Sequence, residues 1–215
     1  EPFNVSLEDA QTLVMTARVM LGWVDPTELE AAEDAAEGAD ELRFGPGLHL
    51  RLVSLSLSGA DMRFGLDART ITEHYPGIGR YVYHLAGALA DAAPDDTLVL
   101  VLNRGQDNRR YDLGALWERP NVEIAWADAR PVSAGEQVEI AWLAGRMRLD
   151  LLHSPYYVKP YALPAPSVTT VYDITPALYP EYLPSGRARA AYELTTRLTV
   201  ETSAALVTLS EAARR

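Results

Sequence analysis

From Met62 onward, short apolar runs alternate with segments of helical periodicity, and that alternation constrains the fold more than any other feature of the sequence. Thr97–Leu102 (TLVLVL) is continuously apolar, the pattern of a strand covered on both faces. Arg63–Asp67, Val122–Trp126, Asp150–His153, Ser167–Tyr172 (SVTTVY) and Ala204–Leu209 (AALVTL) read as further strands. Between them, Gly77 to about Ala92 carries Ile78, Val82, Leu85, Leu89 and Ala92 on one helical face, and Glu136–Met147 and Arg187 to about Glu201 read as helices. Ser210 stands where it would cap the next one. Six strands alternating with helices predict an α/β fold built on a doubly wound parallel sheet. Such sheets bind ligands beyond the carboxyl ends of their strands, so residues just past those ends carry the functional candidates.

Residues 1–61 have a different character. Ser6 and Asp9 make a capping pattern, and Leu7, Ala10, Leu13, Val14, Ala17 and Leu21 recur at helical spacing. Asp25-Pro26 then opens a second helix, Thr27 to about Leu42. The net charge is −11, and residues 1–47 hold 11 acidic and 2 basic side chains against 19 and 17 in residues 48–215. The acidity therefore belongs to the extension, where it reads as a solvated helical face. Gly45-Pro46-Gly47 marks a break, and the alternating Leu48, Leu50, Leu52, Leu55 and Leu57 predict a strand or hairpin. Two units are expected: residues 1–61, a helical acidic extension or the tail of a preceding domain, and residues 62–215, the α/β domain. The chain reads as a fragment cut at both ends.

The absence of Cys removes disulfide scaffolds, thiolate metal sites and cysteine nucleophiles. No basic stripe of the kind nucleic acid requires is present. Neither an apolar run of the roughly 18 residues that span a bilayer nor a cleavable leader pattern occurs, so a cytoplasmic location is expected. No His or carboxylate pair falls at metal-ligand spacing, so no protein-bound metal is expected.

Three constellations carry chemistry. Gly77-Ile78-Gly79-Arg80 opens the first helix of the α/β region. Glycines admit a ligand close to the backbone, a helix amino end offers N–H groups to an anion, and Arg80 adds a cation. The same residues also fit a turn that merely starts a helix. They do not make a dinucleotide fingerprint: Val82 stands where a third glycine belongs, and nine residues separate Asp67 from Gly77. His153-Ser154-Pro155-Tyr156-Tyr157 follows the Asp150–His153 strand, with His153 either binding sugar hydroxyls or phosphate, or buried and satisfied internally. Tyr172-Asp173 ends the Ser167–Tyr172 strand. There Asp173 either faces a cleft or caps the next turn, and the Tyr179-Pro180-Glu181-Tyr182 run beyond it offers rings suited to stacking on sugars or apolar acceptors.

Taken in order, Arg63–Arg69 (RFGLDAR), Gly77–Tyr81 (GIGRY), Asp150–Pro155 (DLLHSP), Val171–Ile174 (VYDI) with Tyr179–Glu181 (YPE), and Val207–Ala213 (VTLSEAA) resemble the N-terminal, Rossmann-like domain of family-4 ("group 1") retaining glycosyltransferases of the GT-B fold. The resemblance spans about residues 62–215. It implies transfer of a sugar from a nucleotide sugar to a glycan or lipid-linked acceptor with retention of configuration. A C-terminal donor domain, absent from this sequence, would supply the nucleotide site. Gly77, Ile78, Gly79 and Arg80 would approach the donor phosphates, Tyr172 and Asp173 would stand at the catalytic position, and His153, Tyr156 and Tyr179 would line the acceptor and sugar wall. No cofactor beyond the nucleotide-sugar co-substrate is implied, and a lipid-linked acceptor would bring the enzyme to the inner face of the membrane. The family usually has His before the Asp of its VYDI-like motif, where this chain has Tyr172. A phenol can still donate one hydrogen bond but carries no positive charge near neutral pH. That departure keeps open an alternative, a non-catalytic sugar-binding or regulatory module on the same fold.

Overall fold

A computed structural model describes residues 61–172 and 175–208 together with two isolated two-residue strands, Arg43–Phe44 and Leu48–His49. These two pair antiparallel, Arg43 with His49 and Phe44 with Leu48. The acidic helices expected before residue 43, most of the alternating leucine segment and Ser210 lie outside the described residues.

Strand β2 (Thr97–Asn103), second from one edge of the sheet, shows why the sheet forms: Leu98, Val99, Leu100, Val101 and Leu102 are each at most 2% exposed, so both faces are covered. Its neighbours are β1 (Arg63–Asp67), β3 (Val122–Ala127), β4 (Leu151–Ser154), β5 (Ser167–Val171) and β6 (Ala205–Thr208). The sheet order is β3-β2-β1-β4-β5-β6 and every pairing is parallel. The chain thus winds outward from β1 in one direction and then, from β4, in the other. This is the doubly wound, Rossmann-like α/β fold expected, and its switch point lies between β1 and β4.

Helix α1 (Pro76–Ala92) covers one face. Its Tyr81, Val82, Leu85, Ala86 and Leu89 pack on Phe64 and Leu66 of β1, the even-numbered leucines of β2, and Leu151 and Val168. On the other face, α3 (Glu136–Arg146) sets Ile140, Leu143 and Ala144 against Val99, Val101, Ala125, Ala127 and Leu152. Helix α5 (Gly186–Thr202) starts at an N-cap formed by Ser185, whose hydroxyl accepts from the Ala188 N–H at 3.1 Å. It leans on the β4–β5 loop, where Tyr161 donates to the Thr195 carbonyl (3.3 Å) and Thr199 to the Tyr157 carbonyl (2.5 Å). At the start of the sheet, the fully buried Met62 donates its N–H to the Asp96 carboxylate (2.9 Å).

Most element limits match the sequence pattern to within a residue, with informative differences. Helix α1 begins at Pro76, one residue before Gly77, because Pro has no N–H to lose in a first turn. Strand β5 ends at Val171, leaving Tyr172 just past the ladder. Two four-residue helices, α2 (Gly114–Trp117) and α4 (Thr175–Leu178), and a 3-10 turn at Pro180–Tyr182 were not signalled, since four residues are too few to show a helical period. Among the described residues no helix is long and apolar enough to cross a membrane.

Candidate functional site

The loop after β1 leads directly into the amino end of α1, beside the switch point. Tyr75 precedes the helix with no side-chain cap, and no acidic residue occupies the first turn. The N–H groups of Gly77 and Ile78 fall among the first-turn donors that have no acceptor within the helix. Gly77 is exposed, and a Cβ built on it meets nothing within 4 Å, so this mouth is open. Arg80 is exposed and forms no ion pair among the described residues.

Gly79 differs from its expected role. It is buried, its N–H donates to the Tyr75 carbonyl at 2.7 Å, and a Cβ there would lie 2.9 Å from the Thr70 carbonyl oxygen and 3.3 Å from the Ile71 Cα. Its lack of a side chain lets α1 rest on the backbone of the β1 loop. Ile78 is half-buried and packs against the core beneath α1.

A ring of tyrosines joins this mouth to the ends of β4 and β5. The Tyr75 ring lies 6.2 Å from that of Tyr156, which is tilted against Tyr157 at 4.5 Å. Burial, with Tyr157 beside it, pushes the Tyr156 phenol above its ordinary pKa. The Tyr172 ring meets Tyr81 of α1 edge-on at 5.8 Å. Its hydroxyl donates to the Pro155 carbonyl (3.0 Å), and burial raises its pKa strongly. That hydroxyl is held by its own chain. Asp173 lies outside the described residues.

His153 does not line a wall. It is 2% exposed, its Nε2 lies 2.8 Å from Thr170 Oγ1, and Thr170 also meets the Tyr81 hydroxyl at 3.3 Å. Its Nδ1 has no hydrogen-bond partner among the described residues. Desolvation pushes the imidazole down to about 4, so the ring is neutral at physiological pH. The strand places it between β1 and β5, where Leu66 and Val168 are its paired neighbours. Tyr179 is exposed and stacks on Tyr182 at 5.5 Å, on the 3-10 turn. The structure therefore brings Tyr156 beside Tyr75 at this mouth and Tyr172 against Tyr81 of α1, with His153 buried and joined to Tyr81 through Thr170.

Two buried ionic groups escaped the sequence reading. Arg69, 1% exposed, is gripped by Asp67 (Nε to Oδ1 2.8 Å, Nη2 to Oδ2 2.6 Å) and by Glu136 (Nη2 to Oε2 3.0 Å). Burial works against its charge, but the two carboxylates outweigh it and hold its pKa above the ordinary value. Glu136 is pushed up by its own burial, against the pull of Arg69. Lys159, also 1% exposed, donates to Ser167 Oγ (2.8 Å) and to the Thr202 carbonyl at the end of α5 (3.2 Å), and desolvation lowers it to about 8. The Asp67–Arg69 spacing at a strand end was a legible hint. Glu136, 67 residues further on, was not.

Among the described residues no group of three or more His, Asp or Glu is placed to hold a metal ion. Two open grooves lie away from the mouth. One, of about 610 Å³, runs between Trp142 and Arg146 of α3 and Leu163-Pro164; the other, of about 330 Å³, separates α1 from α2 at Tyr83, Gly87 and Arg119. Compared with models of known protein families the chain matches none, and no curated protein matches it either.

Proposed function

We propose that residues 62–215 form the acceptor-side half of a retaining glycosyltransferase, with the amino end of α1 receiving the diphosphate of a nucleotide-sugar donor. The observation that carries this reading is the open mouth at Gly77, with Arg80 one turn on and Tyr75 and Tyr156 at its rim, beside the β1/β4 switch point. The leaving group of such a transfer is a diphosphate, and stabilising its developing charge calls for oriented N–H donors and cations. The Gly77 and Ile78 amides supply donors along the helix dipole, and Arg80 supplies a cation. Tyr156 offers a ring face to the acceptor or sugar, and Tyr179 with Tyr182 offers a second one. Asp173 follows Tyr172 at the end of β5, where the resembled family has its catalytic-site motif. The ordered motifs from Arg63 to Ala213 support the same reading, and a C-terminal half would complete the nucleotide site.

A specific observation favours the second reading, a non-catalytic sugar-binding or regulatory module. The Tyr172 hydroxyl is engaged by Pro155, and His153 lies buried beneath the surface. The test is a Gly77→Asp variant of the full-length product, assayed with uridine and guanosine diphosphate sugars for binding, hydrolysis and transfer. An acid in the first turn suits the helix dipole, so the variant folds, while its carboxylate repels a diphosphate. Binding and transfer by the wild type, both lost in the variant, support the enzyme. Binding without turnover supports the module. Unchanged binding by the variant removes the mouth from the site.

A further inference from the structure

The feature that this functional reading leaves unexplained is the buried ion triad. Arg69 uses its guanidinium on four acceptor contacts: two to Asp67, one to Glu136 and one to the Ala129 carbonyl (2.9 Å). Its backbone N–H adds a contact to Asp67 at 3.2 Å. Those partners sit on three different elements: the end of β1, the β3–α3 loop and the first turn of α3. Glu136 Oε2 also accepts the N–H of Val132 at 3.0 Å. Val132 has φ of 60°, a region that a β-branched residue enters only when its surroundings compel it.

The segment carrying Arg69 is the platform of α1. Gln106 donates to the Ala68 and Ile71 carbonyls (3.1 and 2.7 Å), tying that segment to the end of β2. Gly79 then rests on Thr70 and Ile71, so close that a single methyl group would strike backbone atoms. The Thr72 carbonyl accepts the Tyr75 N–H (3.3 Å) immediately before the helix. A continuous chain of contacts thus runs from the buried Glu136 through Arg69 and the Thr70–Thr72 backbone to the exposed amino end of α1.

We propose that Arg69, clamped between Asp67 and Glu136, is a positioning residue: its planar fork locks the β1 and β3 loops into one rigid rim and thereby sets the direction of the Gly77 and Ile78 amides. The importance of that direction for phosphate binding rests on the function proposed above, whereas the mechanical coupling does not. Lysine does not substitute, because a compact ammonium lacks the rigid fork of donors that meets four acceptor atoms on Asp67, Ala129 and Glu136.

The test compares the full chain with its Arg69→Lys and Arg69→Gln variants by amide hydrogen exchange and by backbone amide chemical shifts. The expected result is a loss of protection of tenfold or more at residues 70–72, 79 and 132, with Val99–Leu102 of β2 changed less than threefold. The hydrogen-bond partners of Arg69 are Asp67, Ala129 and Glu136, not Gly77 or Ile78, so movement of those two amide shifts reports positioning and not loss of a local bond. Wild-type protection and unmoved Gly77 and Ile78 shifts in Arg69→Lys overturn the proposal. So does a loss of protection that is equal in β2, which reports general destabilisation. Should Arg69→Lys fail to fold, Glu136→Gln, which keeps the side chain's size, takes its place under the same criteria. A parallel titration of the wild type with inorganic pyrophosphate separates the two ideas: its failure counts against the mouth as a phosphate site and leaves the exchange result standing.

Discussion

Two glycines, two residues apart at the start of α1, respond oppositely to one added methyl group. At Gly77 the new Cβ enters open space, with nothing within 4 Å. Gly→Ala at a compatible site stabilises by about 0.4–1 kcal/mol, chiefly by restricting the unfolded chain. At Gly79 the same gain applies, but the Cβ would sit 2.9 Å from Thr70 O and 3.3 Å from Ile71 Cα. Both are backbone atoms, and their segment is pinned by Gln106 and Arg69, so neither yields cheaply. Overpacking costs about 1–3 kcal/mol, and against pinned backbone the upper part of that range, about 2–3 kcal/mol, applies, leaving Gly79→Ala less stable than wild type by about 1–2.5 kcal/mol. A chain of this size shifts its Tm by about 2–4 °C per kcal/mol. Gly77→Ala is therefore expected to melt about 1–4 °C higher, and Gly79→Ala about 2–10 °C lower, by circular dichroism with coincident fluorescence. A Gly79→Ala variant as stable as wild type would show that α1 does not rest on the β1 loop as described. A destabilised Gly77→Ala would show that the mouth is packed and not open.

Further outcomes concern buried polar groups. With His153 at about 4 in the folded state against 6.5 unfolded, the unfolded chain takes up the proton first as pH falls, so stability declines from pH 6.5 to 4 by on the order of 3 kcal/mol. His153→Gln flattens that window in urea titrations, and an undiminished slope would place the titration elsewhere. Lys159 works at the opposite end: lowered to about 8 from 10.5, it makes the protein gain stability as pH rises from 8 to 10.5. Lys159→Met removes that rise, and a variant that keeps it refutes the assignment. Tyr172→Phe loses one hydrogen bond to Pro155 and about 1 kcal/mol of stability. If the phenol serves only that contact, sugar-nucleotide binding by the variant equals wild type. A large loss of binding at unchanged stability would instead put the hydroxyl on the ligand.

The strand and helix pattern from residue 62 was legible because it follows from local chemistry. The run Thr97–Leu102 has no polar face to show water, and Ile78, Val82, Leu85 and Leu89 repeat at the helical period. The position of candidates at strand ends was legible for the same reason. The state of each candidate was not. Nothing in GIGRY distinguishes Gly77, which is open, from Gly79, which is pressed onto Thr70. Nothing in DLLHSP indicates that β1 and β5 enclose His153 from both sides.

What the sequence determined by itself is what each residue's own neighbours impose: an alternating apolar pattern, a proline at a helix start, a carboxylate and an arginine two residues apart. What only the tertiary structure decided is which of those groups face water. Exposure, pKa and the joining of Asp67 and Arg69 to Glu136 depend on strand order, β3-β2-β1-β4-β5-β6, and on how closely α1 approaches the β1 loop. Those are contacts between segments tens of residues apart. Their geometry is set by packing, so no window along the chain contains it.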